Sequence, residues 1–273
     1  MTLPATDFAY VTQLVRQRSA IDLQPGKEYL VESRLAPIAR TVGERDVSGV
    51  VARLRRGDSR LTELVVDALT TNETSWFRDT YPFQAITQHL LPGLLASGRR
   101  SLTFWSAACS SGQEAYSLAM LLLEWLPAHP GVSAQIIGTD ISPRMVERAR
   151  SARYSQLEVN RGMPATSLVK HFTRDGASWR IAPAIASAVT FRQLNLVRPF
   201  PPIGRFDVVF LRNVLIYFDL PTKRDILRRV RQVLAPDGFL FLGAAEMTMG
   251  VDDQWERVPA GRSSVYQIRK DNR

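Results

Sequence analysis

Hydrophobic residues recur at helical spacing through the first 70 residues of the chain. A predicted amphipathic helix over residues 7–20 has apolar residues at helical spacing, Phe8, Val11, Leu14 and Val15. The segments YLVESRLAPIAR, SGVVARLRRG and DSRLTELVVDALTTNET continue this periodicity, and glycine and polar residues separate them. The pattern predicts a small all-helical N-terminal domain over residues 1–70.

The pattern changes at residue 101 to short apolar runs that alternate with helical stretches. The apolar runs predict strands at 101–108, 134–141, 189–196, 206–213, 239–246 and 263–270. Helices are predicted at 113–126, 143–152 and 221–235, the last ending at a left-handed Gly238. Such alternation is typical of a doubly wound, mostly parallel α/β sheet, which we assign to residues 101–273, with 71–100 as a linker and helix.

Segment 153–188 fits this alternation poorly. It contains a polar stretch and then HFTRDGASWRIA, in which Asp175-Gly176 separates two β-prone pieces as in a hairpin. The segment therefore predicts a small β insertion within the α/β domain.

The net charge of +9 raises nucleic acid as a partner, so its distribution along the chain matters. Residues 151–198 carry seven Lys or Arg against two Asp or Glu, which is over half of the excess. Basic residues do not alternate there with aromatic residues, as a groove for single-stranded nucleic acid would require. An acidic protein partner explains the charge equally well, and we expect no nucleic acid.

Other compositional features exclude several classes of protein. The single cysteine, Cys109, allows no disulfide framework, and His89, His129 and His171 show no metal-ligand spacing. The first residues, MTLPATDFAYVTQ, show no charged region followed by an apolar run, so we expect no export signal. No apolar run reaches the roughly 18 residues needed to cross a bilayer. We expect a cytoplasmic monomer that binds no metal and inserts into no membrane.

The first two predicted strands end in a candidate nucleoside site. The turn after the first strand, AACSSGQEAYS, has only Gly112 where a dinucleotide fingerprint needs three glycines. The second strand ends in Asp140, where a carboxylate can bind both hydroxyls of a ribose. The alternative is that Asp140 caps the helix that begins near Pro143. S-adenosylmethionine, a nucleoside without pyrophosphate, needs the acid but not the glycines.

Two further segments carry candidate site residues. The fourth strand runs into RNVLIYF, which leaves Arg212, Asn213 and Tyr217 beside the cofactor position. Upstream, TTNETSWFRD joins the helical region to the sheet region. This segment has the alternative interpretation of a linker, in which Thr74 and Asp79 make local hydrogen bonds.

Six motifs in order support a family resemblance: TTNETSWFRD, FWSAACSSGQEAYSLA, IIGTDIS, the NL of 195–196, FLRNVLIYF and LAPDGFLFLGAAE. With them the sequence resembles the chemotaxis receptor methyltransferases along nearly its whole length. The resemblance implies a class I methyltransferase fold, S-adenosylmethionine as cofactor and S-adenosylhomocysteine as product. It also implies glutamate carboxylates on chemoreceptor helices as the methyl acceptors.

The same resemblance implies a set of site residues. Those lining the cofactor site are Asn72, Thr74, Arg78, Glu114, Asp140, Asn195, Leu196, Arg212 and Asn213. Arg78 and Tyr217 are expected to lie nearest to the transferred methyl group. The family often reads STGEEPYS where this chain reads SSGQEAYS, so Gln113 and Ala115 replace an acid and a proline. Because Glu114 is retained, we expect cofactor binding to persist.

The expected partners are the cytoplasmic helices of chemoreceptors, with a receptor tail peptide or regulatory protein at the 153–188 insertion. Two other functions are alternatives: a module that binds S-adenosylmethionine without turnover, and a nucleic-acid methyltransferase. Arg78 and Tyr217 argue against the first, and RNVLIYF replaces the Asn/Asp-Pro-Pro-aromatic motif that the second would show.

A group of arginines in VVARLRRGDSR suggests how the helical domain could read an acidic receptor helix. Arg53, Arg56 and Arg60 are three and four residues apart, so they share a face if the helix continues. Gly57 is a signal that the helix stops.

Overall fold

The computed structural model describes residues 3–270 as two compact units. The first unit contains residues 3–71 together with Tyr217–Thr222. The second unit, as far as the structure describes it, contains Asn72–Ile216 and residues 223–270.

Four helices build the first unit: α1 Ala5–Ser19, α2 Glu28–Thr41, α3 Val47–Arg55 and α4 Ser59–Leu69. Their apolar faces meet in one core, in which Val11, Leu35 and Val65 are fully buried. Carboxylate caps begin the last two helices, because Asp46 accepts the Gly49 N–H and Asp58 accepts the Leu61 N–H, each at 3.0 Å. The helical periodicity of the sequence is thus confirmed.

The arginine group of the first unit does not form one helical face. Helix α3 ends at Arg55, and Gly57 adopts a left-handed φ of 87° before α4 begins. The guanidinium of Arg53 pairs with the Asp58 carboxylate at 2.6 Å. Of the two possibilities that the sequence left open, the structure therefore shows the second: Gly57 ends the helix, so Arg53, Arg56 and Arg60 do not share a continuous helix.

The second unit contains ten strands: β1 Ser101–Ala107, β2 Ser133–Asp140, β3 Arg153–Ser155, β4 Phe172–Asp175, β5 Ser178–Ile181, β6 Val189–Gln193, β7 Phe206–Leu211, β8 Leu234–Leu242, β9 Trp255–Ala260 and β10 Ser263–Ile268. Seven of them form one sheet in the order β6-β2-β1-β7-β8-β10-β9. The pairings from β6 to β8 are parallel, and β10 runs antiparallel to β8 and β9.

The helices of the second unit are α5 Tyr81–Ala85, α6 Leu91–Ala96, α7 Gln113–Trp125, α8 Pro143–Ser151, α9 Gln156–Asn160, α10 Ala165–His171, α11 Pro183–Ser187 and α12 Leu220–Val233, which begins in the first unit. A π-helical turn, Ile86–Leu90, joins α5 to α6. Short 3-10 helices lie at Leu126–Ala128 and Leu215–Tyr217. The fully buried Phe104, Val208 and Phe241 of three central strands form the middle of the core, which explains their apolar sequences.

This architecture confirms the predicted doubly wound, mostly parallel sheet, with two differences. Strand β9 was not predicted because its sequence, WERVPA, carries charges and a proline at the edge of the sheet. Gly238 does not end a helix: it lies inside β8 without a left-handed φ. A Cβ there would lie 3.0 Å from the Asp207 carbonyl oxygen, so close packing between strands requires the glycine.

The predicted β insertion is confirmed as a three-stranded antiparallel sheet in the order β3-β5-β4. Asp175 pairs with Ser178 across a tight hairpin whose Gly176 has a left-handed φ of 61°. Two short helices, α9 and α10, lie between β3 and β4 in the sequence, and α11 follows β5.

Candidate functional site

The loop after β1 follows a path that few side chains tolerate. Ala108, Ser110 and Gly112 all adopt left-handed φ values, of 56°, 51° and 94°. A Cβ on Gly112 would lie 2.9 Å from the Ala149 Cβ, so the loop packs too closely for a side chain there. The Tyr154 hydroxyl donates to the Ser111 carbonyl at 2.7 Å. These contacts hold the loop backbone at the carboxyl edge of the sheet, where ligands of open α/β sheets bind.

Asp140 is buried at the end of β2 and is fixed by backbone groups on both sides. One carboxylate oxygen accepts the Ser110 N–H at 2.8 Å, and the other accepts the Ser142 N–H at 2.9 Å. The hydroxyl of Ser142 accepts the Met145 N–H at 3.0 Å, which makes Ser142 the N-cap of α8. The alternative interpretation of Asp140 as a helix cap is therefore wrong.

Three other predicted cofactor residues lie around Asp140. The carbonyl of Asp140 accepts the Leu194 N–H at 2.9 Å, which brings Asn195 and Leu196 alongside. The hydroxyl of Ser110 donates to the Asn72 carbonyl at 2.7 Å. Asn72 therefore lies beside the β1 loop, and Asn195 and Leu196 follow directly in the chain after the residue that bonds to the end of β2.

Glu114 and Arg212 form a charged pair at the same edge. An Nη atom of Arg212 donates to Glu114 at 3.0 Å, and the Ser106 hydroxyl donates to the other carboxylate oxygen at 2.7 Å. Burial raises the pKa of Glu114, and the positive charge of Arg212 opposes this change. Gln113, at the position of the missing family acid, is buried and accepts the Ser111 hydroxyl at 2.8 Å.

Arg212 also binds the TTNETSWFRD segment. Its side chain is only 1% exposed, and it pairs with the Asp79 carboxylate while donating to the Arg78 carbonyl at 3.1 Å. Asp79 thus bonds to a residue far along the chain, contrary to the alternative of purely local bonding. The Arg212 Nε has no hydrogen-bond partner within residues 3–270.

The rest of that segment is anchored by Trp76, whose ring is fully buried. The indole N–H donates to the Glu158 carbonyl at 3.0 Å, and the ring contacts Tyr154 edge-on with centroids 4.8 Å apart. Thr74 and Arg78 are half-buried, and a guanidinium nitrogen of Arg78 lies 3.5 Å from the Glu73 carbonyl oxygen. The aromatic residue of the motif therefore fixes the backbone that carries Thr74 and Arg78.

The loop after β7 is held by Glu246, a residue that sequence reasoning did not select. Its buried carboxylate accepts five backbone N–H groups, those of Asn213, Val214, Leu215, Ile216 and Gly243, at 2.7 to 3.3 Å. Asn213 itself has a left-handed φ of 58°. The available sequence signal was the acid that closes the apolar run FLFLGAAE.

Tyr217 ends the 3-10 helix that follows this loop and groups with the first unit. Its carbonyl accepts the Asp22 N–H at 3.3 Å. The expectation that Arg78 and Tyr217 flank the transferred methyl group stays a prediction.

Cys109, also in the β1 loop, is buried, and burial together with the charges of Asp140 and Glu114 raises the pKa of its thiol. This environment disfavours the thiolate that a nucleophile would need. Residues 3–270 contain no group of three or more His, Cys, Asp or Glu side chains arranged to hold a metal ion. Across the same residues, no helix combines the length and apolar character that a membrane span requires.

Sequence comparison finds a matching protein family for each of the two units. The family described as "CheR methyltransferase, all-alpha domain" matches residues 6–70, and "CheR methyltransferase, SAM binding domain" matches residues 72–263. Chemotaxis protein methyltransferase 1 of Pseudomonas aeruginosa is 41% identical, with 98% of this chain and 100% of that protein covered. Chemotaxis protein methyltransferase Cher2 of Pseudomonas putida is 40% identical (96% and 98% covered), and the Vibrio parahaemolyticus chemotaxis protein methyltransferase is 36% identical (98% and 99% covered). The chain therefore belongs to the chemotaxis protein methyltransferase family.

Proposed function

We propose that the protein transfers a methyl group from S-adenosylmethionine to glutamate side-chain carboxylates on the cytoplasmic helices of chemoreceptors. The products are glutamate methyl esters and S-adenosylhomocysteine. The observation that carries the proposal is the convergence of Asp140 and the Glu114–Arg212 pair on the β1 loop, within the region that matches the family's cofactor-binding domain.

The residues present fit S-adenosylmethionine chemically. Asp140 is a fixed carboxylate at the strand end where ribose hydroxyls bind in this class of sheet. The carboxylate of Glu114, whose side chain is 13% exposed, suits a cationic ligand group, and the unpartnered Nε of Arg212 suits an acceptor atom. When bound, the cofactor supplies an electrophilic methyl group on a sulfonium.

The protein's own task is to position and desolvate the acceptor. A glutamate carboxylate is ionised and nucleophilic at neutral pH, so the reaction requires no general base. The site must hold the carboxylate oxygen in line with the methyl group and exclude water. Arg78 orients either the acceptor carboxylate or the carboxylate of the cofactor through its planar guanidinium. Tyr217 donates a hydrogen bond or shapes the wall of the site.

A labelling experiment tests this function. The protein is incubated with methyl-labelled S-adenosylmethionine and membranes that contain chemoreceptors, and the label is then exposed to mild alkali. We expect volatile methanol, because esters hydrolyse under conditions in which methylated amines persist. Alkali-stable label in nucleic acid would instead indicate a nucleic-acid methyltransferase. Cofactor binding without any labelled product would indicate a regulatory module.

Two substitutions sharpen the test. Tyr217→Phe removes only a hydroxyl, so we expect lower turnover with near-normal affinity for S-adenosylhomocysteine. Arg78→Lys should also turn over poorly, because an ammonium cannot reproduce the planar fork of a guanidinium. Parental turnover of Tyr217→Phe at saturating cofactor would exclude a catalytic part for the hydroxyl.

The finer expectations about partners belong to the same proposal. We expect a receptor tail peptide or regulatory protein to dock on the insertion at 153–188, whose Leu157 and Val169 are exposed. A cytoplasmic monomer fits a substrate site on the cytoplasmic helices of a receptor. Binding of tail peptides to the protein, measured by calorimetry, tests the docking.

A further inference from the structure

We propose that Glu246 is a positioning residue for methyl transfer, which holds the loop after β7 in its working conformation. This inference rests on the proposed function. One carboxylate oxygen accepts the N–H groups of Asn213 and Gly243, both at 2.7 Å. The other accepts those of Val214, Leu215 and Ile216, at 2.8, 2.7 and 3.3 Å. One side chain therefore satisfies four consecutive N–H groups of the loop.

The loop depends on this carboxylate because its backbone has few other ways to satisfy its donors. The N–H groups of residues 213–216 converge where the 3-10 helix Leu215–Tyr217 begins, and a helix start leaves such donors without partners. A negative charge also stabilises the positive end of a helical turn. Glu246 is only 8% exposed, so water has little access to replace it.

The held loop is the one that presents predicted site residues. It follows Arg212, contains Asn213 and leads in the chain to Tyr217. Asn213 is kept in a left-handed conformation and packs tightly, because a Cβ on Gly243 would lie 2.7 Å from the Asn213 Nδ2. Release of the loop would therefore move Asn213 relative to the rigid end of β7.

A direct ligand role for Glu246 is the competing interpretation, since it borders a cavity of about 220 Å³ with Arg212, Tyr81 and Tyr266. Its two oxygens already accept five backbone N–H groups, three on one oxygen and two on the other, and these fill the roughly four lone-pair sites of a carboxylate. Backbone N–H groups, moreover, cannot turn away as water or a flexible side chain can. The geometry accordingly assigns Glu246 to the support of the loop rather than to substrate contact.

Glu246→Gln is the sharpest test because it keeps the shape and removes one acceptor. In either orientation, the amide NH₂ of glutamine points at two or three backbone N–H donors. We expect faster hydrogen exchange at residues 213–216 with unchanged protection of β8. Turnover on receptor membranes should fall about 10- to 100-fold, since a misplacement of about 1 Å costs about 100-fold. Affinity for S-adenosylhomocysteine should fall by less than turnover.

The matched control is Glu256→Gln, an equivalent change at an exposed position on β9, which should leave exchange and turnover at parental values. Glu246→Asp keeps the charge but shortens the side chain, so its exchange and turnover should lie between those of the parent and Glu246→Gln. It also serves as the test protein if Glu246→Gln does not fold.

Two outcomes overturn the inference: parental exchange at residues 213–216, or faster exchange with parental turnover, which would make Glu246 purely structural. If the wild-type protein forms no base-labile ester, the proposed function fails separately. Exchange and S-adenosylhomocysteine affinity then decide the Glu246 inference, because both must change in Glu246→Gln if the carboxylate positions the site loop.

Discussion

The loops after β1 and β7 lie at the carboxyl ends of neighbouring parallel strands, and each is held by an acid from the next strand outward. Asp140, at the end of β2, accepts one N–H from the β1 loop and one from its own turn. Glu246, beyond β8, accepts four from the β7 loop and one from its own turn. A carboxylate therefore anchors one residue of the β1 loop and four consecutive residues of the β7 loop.

The two loops differ in the interactions that stabilise their unusual backbone conformations. The β1 loop has three left-handed residues and is shaped largely by packing, as the close approach of Gly112 to Ala149 shows. The β7 loop has one left-handed residue, Asn213, and is shaped by hydrogen bonds to a charge. We therefore expect loss of Asp140 to affect ligand binding most, and loss of Glu246 to affect the fold of its loop and the stability of the protein.

The largest expected effect on stability is that of Glu246→Ala, which leaves five backbone N–H groups without their acceptor, including those of the buried Leu215 and Gly243. We expect the free energy of unfolding to fall by about 3 kcal/mol, because each unsatisfied buried donor costs about 1–3 kcal/mol and entering water recovers part of it. Urea denaturation measures the change. Glu256→Ala, at an exposed position, is the control. An equal effect of the two substitutions would contradict the claim that hydrogen bonds to Glu246 stabilise the β7 loop.

Next comes Asp140→Ala, which should weaken S-adenosylmethionine and S-adenosylhomocysteine alike because both contain the ribose. Loss of hydrogen bonds to a charged acceptor should cost about 1.5–3 kcal/mol of binding free energy. Isothermal calorimetry measures both affinities, with the exposed Asp253→Ala as control. Unchanged affinities would mean that Asp140 serves only the loop, as Glu246 does.

A smaller effect separates packing from backbone strain in the β1 loop. Gly112→Ala and Gly131→Ala both place a side chain at a left-handed φ, which costs about 1–2 kcal/mol. Only at Gly112 would the new Cβ also meet neighbours within 4 Å, so its loss of unfolding free energy should be the larger. Thermal unfolding of the two variants measures these losses. Equal losses of unfolding free energy would show that packing around Gly112 does not contribute.

The smallest effect concerns Glu158, another acid that accepts a backbone N–H group, here in the insertion. Its carboxylate accepts the N–H and hydroxyl of Ser155, both at 2.7 Å, and pairs with Arg148 at 2.8 Å. Partial burial acts to raise the pKa of Glu158, but the Ser155 donors and the Arg148 charge outweigh it, so the pKa lies below its usual 4.5.

Because this pKa is lowered in the folded state, the stabilisation is complete above pH 4.5 and is lost as the pH falls through the folded-state value. Glu158→Gln should lower the unfolding free energy at pH 7 by less than about 1 kcal/mol, since the group is partly exposed. It should also flatten the acid side of a plot of melting temperature against pH. Glu147→Gln, whose carboxylate is 77% exposed, is the control, and an unaltered acid side would contradict the assignment.

The spacing of apolar residues was sufficient to predict most elements of the fold, because an element that buries one or both faces needs apolar residues at regular positions. The helix predicted at 113–126 is Gln113–Trp125, and the strand predicted at 206–213 is Phe206–Leu211. Strand β9 was not predicted because it is half-solvated at the sheet edge and alternates too weakly to be recognised, and the short elements β3, α9, α10 and α11 of the insertion were not predicted individually. Gly238 was misread because a local signal for a helix end also suits a strand that packs closely.

The candidate site, likewise, could be predicted from the sequence only in part. Strand ends located Asp140 and Arg212 in advance, since parallel strands gather their carboxyl ends at one edge. The partners of these residues could not be read from the chain. Arg212 bonds to Asp79 and Glu114, which are 133 and 98 residues away, and Glu246 reaches back 33 residues to Asn213. Hydrogen bonds require distances and angles that only long-range packing creates, so the partners of each of these residues were decided by the folded structure.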